Sequence, residues 1–131
     1  MALTPGTTHE ITRTVTPDVT ADALGNPGVM VFATPCVLTL IENTCSDMVK
    51  PHLPAGAATV GTAVELKHLA ATPLGMTVRA KATLLETDGK RFVFTVEVWD
   101  AKEKVAESRH ERFLVQDLAK FLARAMKKAE S

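Results

Sequence analysis

Residues 31–45 read VFATPCVLTLIENTC, and the conformation of this stretch decides what the rest of the chain must do. Thr34 is a good N-cap, and Pro35 suits the first helical position, where its missing N–H costs nothing. Val37, Leu40, Ile41, Thr44 and Met48 then share one helical stripe, while Leu38, Cys45 and Val49 make a second. Lys50 precedes Pro51 and Pro54 follows, so the helix runs from Pro35 and stops near Val49. A helix this apolar on most of its circumference needs more than one surface to cover it. One carboxylate, Glu42, interrupts the second stripe.

On either side of this helix the pattern changes to period two. The run EITRTV alternates Ile11, Arg13 and Val15 against Thr12 and Thr14, and the turn residues of ADALGNPG separate it from the helix. Downstream, Val60, Thr62, Val64, Leu66 and His68 read as one face of a strand, with Gly61, Ala63, Glu65 and Lys67 on the other. Met76, Val78, Ala80, Ala82 and Leu84 alternate in the next run, and Asp88-Gly89 marks a tight hairpin into Phe92, Phe94, Val96 and Val98. Val105 to Val115 forms a fourth consecutive strand. Leu118, Phe121, Leu122, Ala125 and Met126 then fall at helical spacing behind a capping Asp117. The order strand, helix, four antiparallel strands, helix predicts an α+β fold in which the first helix covers the apolar face of the sheet. A second copy of the chain would supply the remaining cover.

Length and charge narrow the function classes. At 131 residues the chain fits one domain, 1–131, long enough to bury a core without disulfides or metal. Fifteen basic residues balance fifteen acidic ones, so the footprint of a general nucleic-acid binder is missing. No apolar run reaches the roughly 18 residues of a membrane span, and the N-terminus lacks a signal-peptide stretch; the expectation is a soluble, cytoplasmic protein. Cys36 and Cys45 lie on opposite sides of one helix, which prevents a bridge within the chain and suits a reducing compartment. GAATVGTA has two glycines at phosphate-loop spacing, but Thr62 and Ala63 stand where a lysine and a hydroxyl residue are required. His9, His52, His68 and His110 make no close pair with one another or with cysteine, so no metal site is expected.

Four polar residues intrude on apolar faces. Glu42 on its stripe is either a surface residue or a carboxylate at a cleft, able to serve as base or nucleophile. His68 occupies an apolar-face slot at a strand end. Arg112 shares its face with Ala106, Ser108, His110 and Leu114, where a cation needs an anion or a carbonyl. His110, in mid-strand, reads as a packing residue. The cations of the last helix, Lys120, Arg124, Lys127 and Lys128, read as a solvated face.

VFAT with a glutamate eight positions after its threonine, VGTAVELKHLAATPLGMTV and RHERFLV together resemble the fluoroacetyl-coenzyme A thioesterase family of the hot-dog superfamily. The resemblance runs from Val31 to Val115, and its most specific part is the stretch from His68 to Gly75. It implies a hot-dog fold, a long central helix wrapped by an antiparallel sheet, in a homodimer or higher homo-oligomer. It implies an enzyme that hydrolyses a small acyl-coenzyme A thioester to the free acid and coenzyme A, with neither metal nor cofactor. The family's catalytic threonine, glutamate and histidine match Thr34, Glu42 and His68, and its substrate-binding glycine and arginine match Gly61 and Arg112. The aromatic lid residues that precede the family's threonine have no counterpart in the Leu24 to Met30 stretch. Hot-dog folds also serve as dehydratases and as non-catalytic acyl-binding proteins, so fold alone does not choose among these activities. Under the resemblance Glu42 acts as nucleophile or as base for water, His68 transfers a proton, and Thr34 with helix-start N–H groups polarises the carbonyl. Eight helical residues put Thr34 and Glu42 about 12 Å apart along the axis. One carbonyl then meets both either at an interface between two chains or through an irregular helix start.

Overall fold

The computed structural model describes residues 3–130. Strand β1 (Thr8–Thr14) is followed by helix α1 (Thr34–Val49), strands β2 (Ala58–His68), β3 (Thr77–Thr87), β4 (Arg91–Trp99) and β5 (Lys104–Val115), and helix α2 (Leu118–Met126). The five strands make one antiparallel sheet in the order β1-β3-β4-β5-β2. This is the α+β arrangement expected of a hot-dog fold, with α1 lying along the apolar face of the sheet.

Packing follows from the two periods. Val37, Leu40, Ile41, Cys45, Met48 and Val49 of α1 are buried in one cluster with Val78, Ala80, Ala82 and Leu84 of β3 and Phe92, Phe94, Val96 and Val98 of β4. Ala80, Ala82 and Ala106 are fully buried, and their small side chains let the helix approach the sheet closely while valine and phenylalanine fill its flanks. Thr44, buried among these, bonds its hydroxyl to the Leu40 carbonyl one turn back at 2.7 Å. Thr34 and Leu38 stay outside the cluster, exposed and half-buried, on the side of α1 that carries Glu42.

Two local readings are corrected. The residue that caps α1 is Ala33, not Thr34, and no side chain caps the helix start. Thr34 is already helical, and its hydroxyl is committed elsewhere. The second correction concerns β2, whose simple alternation is broken by a register shift between Gly61 and Ala63 that leaves Thr62 as the extra residue of a β-bulge. Beyond the bulge Val64, Leu66 and His68 pair with the inward residues His110, Ser108 and Ala106, as the alternation predicts. Before it the faces exchange. Gly61 pairs with Arg112 and Thr59 with Leu114 on the α1 side, while Val60 lies across from Phe113 on the outer side.

Strand β2 and the C-terminal helix α2 meet at one edge of the sheet. β2 is the last strand of the sheet, bonded only to β5, and Gly61 through Glu65 are all exposed, Val64 by 41%. Helix α2 is capped by Asp117, whose carboxylate accepts from Lys120 N at 3.0 Å, as the sequence suggests. Its first residue is tied to the start of β2, Leu118 N donating to Gly56 O at 2.9 Å. None of its residues is buried. No helix among the described residues is long and apolar enough to cross a membrane.

Candidate active site

The polar residues singled out in the sequence gather into two groups along the groove between α1 and β2. The first is at the helix start. Thr34 Oγ1 lies 2.8 Å from His68 Nδ1, a hydrogen bond between the first residue of α1 and the last residue of β2. His68 Nε2 is buried and has no hydrogen-bond partner among the described residues. A cavity of about 360 Å³ borders the pair, lined also by Asn26, Val29, Val31 and Leu69. Because nothing caps α1 here, its first-turn N–H groups add partial positive charge beside the Thr34 hydroxyl.

The second group is two turns further along α1. Arg112, buried on β5, donates from Nε to Thr59 Oγ1 and from Nη2 to the Thr59 carbonyl, both at 2.8 Å. Its Nη1 lies 3.2 Å from His110 Nε2 and 3.5 Å from Glu42 Oε2. The pair is unequal in exposure: 8% of the Arg112 side chain reaches solvent against 42% for Glu42. Glu42 is thus neither an ordinary surface residue nor unpaired. Gly61 makes room for it, since a Cβ there would fall 2.5 Å from Glu42 Oε2 and 3.2 Å from His110 Cε1. A second cavity of about 360 Å³ opens here, lined by Leu38, Glu42, Gly61, Val64 and His110. The larger cavity of about 390 Å³ over Glu65, Lys67, Glu97 and Arg109 includes none of the singled-out site residues.

Of the five candidates, Thr34 and His68 meet in one group and Glu42, Gly61 and Arg112 in the other. Because α1 is continuous from Thr34 to Val49, an irregular helix start is excluded, and the groups stand about 12 Å apart along the helix. Two members of the second group escape a plain reading of the sequence. Thr59 is hidden by the bulge, and His110 reads as packing although its spacing from Arg112 puts both on one strand face.

Burial sets the charge states. His68 is held below the ordinary histidine range, chiefly by desolvation, against a smaller opposing pull from the nearby Ala70 backbone. His110 is lowered too, by burial first and then by the Arg112 cation. Burial pushes Cys45, one turn beyond Glu42, up to about 12, which leaves an inert thiol. Two histidines that resist protonation when folded give the stability a sign. Unfolded histidines bind protons near pH ~6.5 and the folded ones only at lower pH, so this contribution is intact above the unfolded value and falls as pH drops through it. Urea midpoints should therefore decline between about pH 7 and about pH 5.5. An unchanged midpoint over that window would contradict the lowered basicity of the half-buried His68 and the buried His110.

A family model described as fluoroacetyl-CoA-specific thioesterase matches residues 15–117. The fluoroacetyl-CoA thioesterase of Streptantibioticus cattleyicolor is 36% identical over 98 residues, which is 75% of this chain and 70% of that protein. A crystal structure of a point mutant of the fluoroacetyl-CoA-specific thioesterase FlK superimposes with a TM-score of 0.92 at 30% identity, covering 98% of both chains. A thioesterase superfamily member from Thermus thermophilus superimposes with a TM-score of 0.88 at 28% identity, over 98% of this chain and 95% of that one. The chain belongs to the fluoroacetyl-CoA-specific thioesterase family.

Proposed function

We propose that this chain is an acyl-coenzyme A thioesterase in which water cleaves a small acyl thioester, giving the carboxylic acid and coenzyme A thiol, at a site assembled from the two groups of the groove. The observation that carries the reading is the Thr34–His68 pair: a hydroxyl bonded to one imidazole nitrogen at 2.8 Å, with the other nitrogen buried and unpartnered beside a cavity. The Thr34 hydroxyl and the uncapped helix start polarise the thioester carbonyl. Glu42 deprotonates the attacking water, or attacks the carbonyl to give an anhydride that water then opens; the C–S bond breaks, and His68, neutral at rest, takes up the proton released by that water and delivers it to the coenzyme A thiolate. Gly61 and Arg112 place the carboxylate. A cytoplasmic setting fits the two unbridged cysteines.

The separation within one protomer makes a second copy part of the site, with the helix start of one chain facing Glu42 of the other about a dyad. The free edge of β2 and its exposed Val64 suit that contact. Sedimentation at micromolar concentration should find a dimer or a larger homo-oligomer. A stable monomer with full activity would remove the shared site.

Colorimetric release of thiol from acetyl-, fluoroacetyl-, short branched and aryl-coenzyme A tests the activity. Free thiol from at least one of them is expected; tight binding with no release would make the chain an acyl-binding protein instead. Glu42→Gln keeps the size of the side chain and loses its basicity and nucleophilicity, so turnover should fall about 100- to 10,000-fold, and a variant within about threefold of wild type removes Glu42 from the chemistry. Gly61→Ala tests placement. The new methyl meets the flexible end of Glu42 at 2.5 Å, so the fold should survive while the carboxylate is displaced. Melting should stay near wild type with turnover down about tenfold or more. Full activity would show that the carboxylate does not need its position over Gly61.

A further inference from the structure

Arg112 Nη1 stands between two acceptors, and the distances are unusual for an arginine beside a carboxylate. Charge-assisted N–H···O contacts normally close to about 2.7–2.9 Å. Elsewhere on the sheet Arg91 Nη2 approaches Glu111 at 2.7 Å and Arg109 Nη1 approaches the same carboxylate at 2.6 Å. Yet Arg112, the most buried of the three, stays 3.5 Å from Glu42. What holds it back is a set of neutral acceptors on the sheet side. Thr59 Oγ1 and the Thr59 carbonyl take Nε and Nη2, and His110 Nε2 takes Nη1 at 3.2 Å.

The chemistry of His110 is determined from both sides. A guanidinium has donors only, so His110 Nε2 must accept from Arg112. The proton therefore sits on Nδ1, which donates to the Ala63 carbonyl at 3.1 Å. Stacking on Phe94, with ring centroids 6.2 Å apart, fixes the plane. Burial and the neighbouring cation keep the ring neutral, so the acceptor persists.

We propose that His110 is a positioning residue: by accepting from Arg112 Nη1 it holds the guanidinium back from Glu42 and leaves that carboxylate loosely paired. A tight ion pair would satisfy Glu42 and draw its lone pairs away from substrate or water. The slack pair keeps the cation near enough to orient the carboxylate and too far to quench it. The kinetic consequence rests on the thioesterase reading; the geometric one does not.

Two variants separate this role from packing. His110→Phe keeps the ring and the Phe94 contact and removes the acceptor, whereas His110→Gln gives up the ring and retains an acceptor oxygen. The expected result for His110→Phe is a folded protein with kcat down about 10- to 100-fold and KM little changed. Its crystal structure should show Arg112 closed onto Glu42 at about 2.7–2.9 Å. His110→Gln should recover most of kcat. Wild-type kcat in His110→Phe overturns the proposal, as does an equal loss in both variants or an Arg112–Glu42 separation unchanged in the crystal. If His110→Phe does not fold, His110→Gln decides alone: retained kcat supports the role, and a loss of about tenfold or more overturns it. Should the wild type release no thiol from any substrate, the thioesterase reading fails, and the Arg112–Glu42 separation in the variant crystal still judges the geometry.

Discussion

The extra residue in β2 is the constraint on which the site depends. Without the bulge at Thr62, strict alternation would turn Gly61 and Thr59 outward, because a one-residue slip sends every side chain to the opposite face. Arg112 would then lose both Thr59 acceptors. Nη1 would keep His110 and Glu42, but a buried guanidinium with Nε and Nη2 unmet is unfavourable, so the bulge supports the cation. The same shift sets the residue without a side chain directly beneath Glu42. Bulges beside functional sites commonly re-aim a strand in this way. Here it recruits a glycine and a threonine to a face they would otherwise miss.

The parts of the fold that repeat over many residues were readable from the chain. The stripe Val37, Leu40, Ile41, Thr44 and Met48 is buried as its spacing predicts, and so is the even-numbered face of β4. The breaks in pattern were not readable. Nothing in VGTAV announces a bulge, since the alternating reading is equally self-consistent, and the register is decided by what Arg112 needs from the neighbouring strand. Thr34 illustrates a different competition. Its hydroxyl could cap the helix or bond His68, and local chemistry favours the cap. The tertiary structure brings the end of β2 to the helix start, and the imidazole wins. Glu42, Gly61 and Arg112 could be matched individually through family resemblance; that His110 ties them together required the register of β5 against β2.

The two groups divide the electrostatic work. At the start of α1 the helix contributes partial positive charge, and His68 is kept neutral by burial, so this end suits a polarised carbonyl and a proton transfer. Further along, the only formal charges are Glu42 and Arg112, set apart at 3.5 Å. Keeping the ion pair away from the imidazole of His68 has a physical benefit, because a cation next to that ring would lower its basicity further and an anion would raise it.

Helix α1 acts as the ruler that maintains this division. Thr34, Leu38 and Glu42 are spaced four apart, so all three face the groove toward β2 while the rest of the helix is locked into the sheet. Rotation about the axis would expose Ile41 and Val37, both fully buried, so the separation of the two groups is held by the hydrophobic core. Inserting or deleting one residue between Thr34 and Glu42 would turn the carboxylate by about 100° and carry it off Gly61. The distance that keeps the groups apart in one chain is therefore as rigid as the core itself. Among the described residues β2 is bonded on one side only, to β5, so the strand that borders the groove keeps a free edge of backbone N–H and C=O groups beside these two fixed positions.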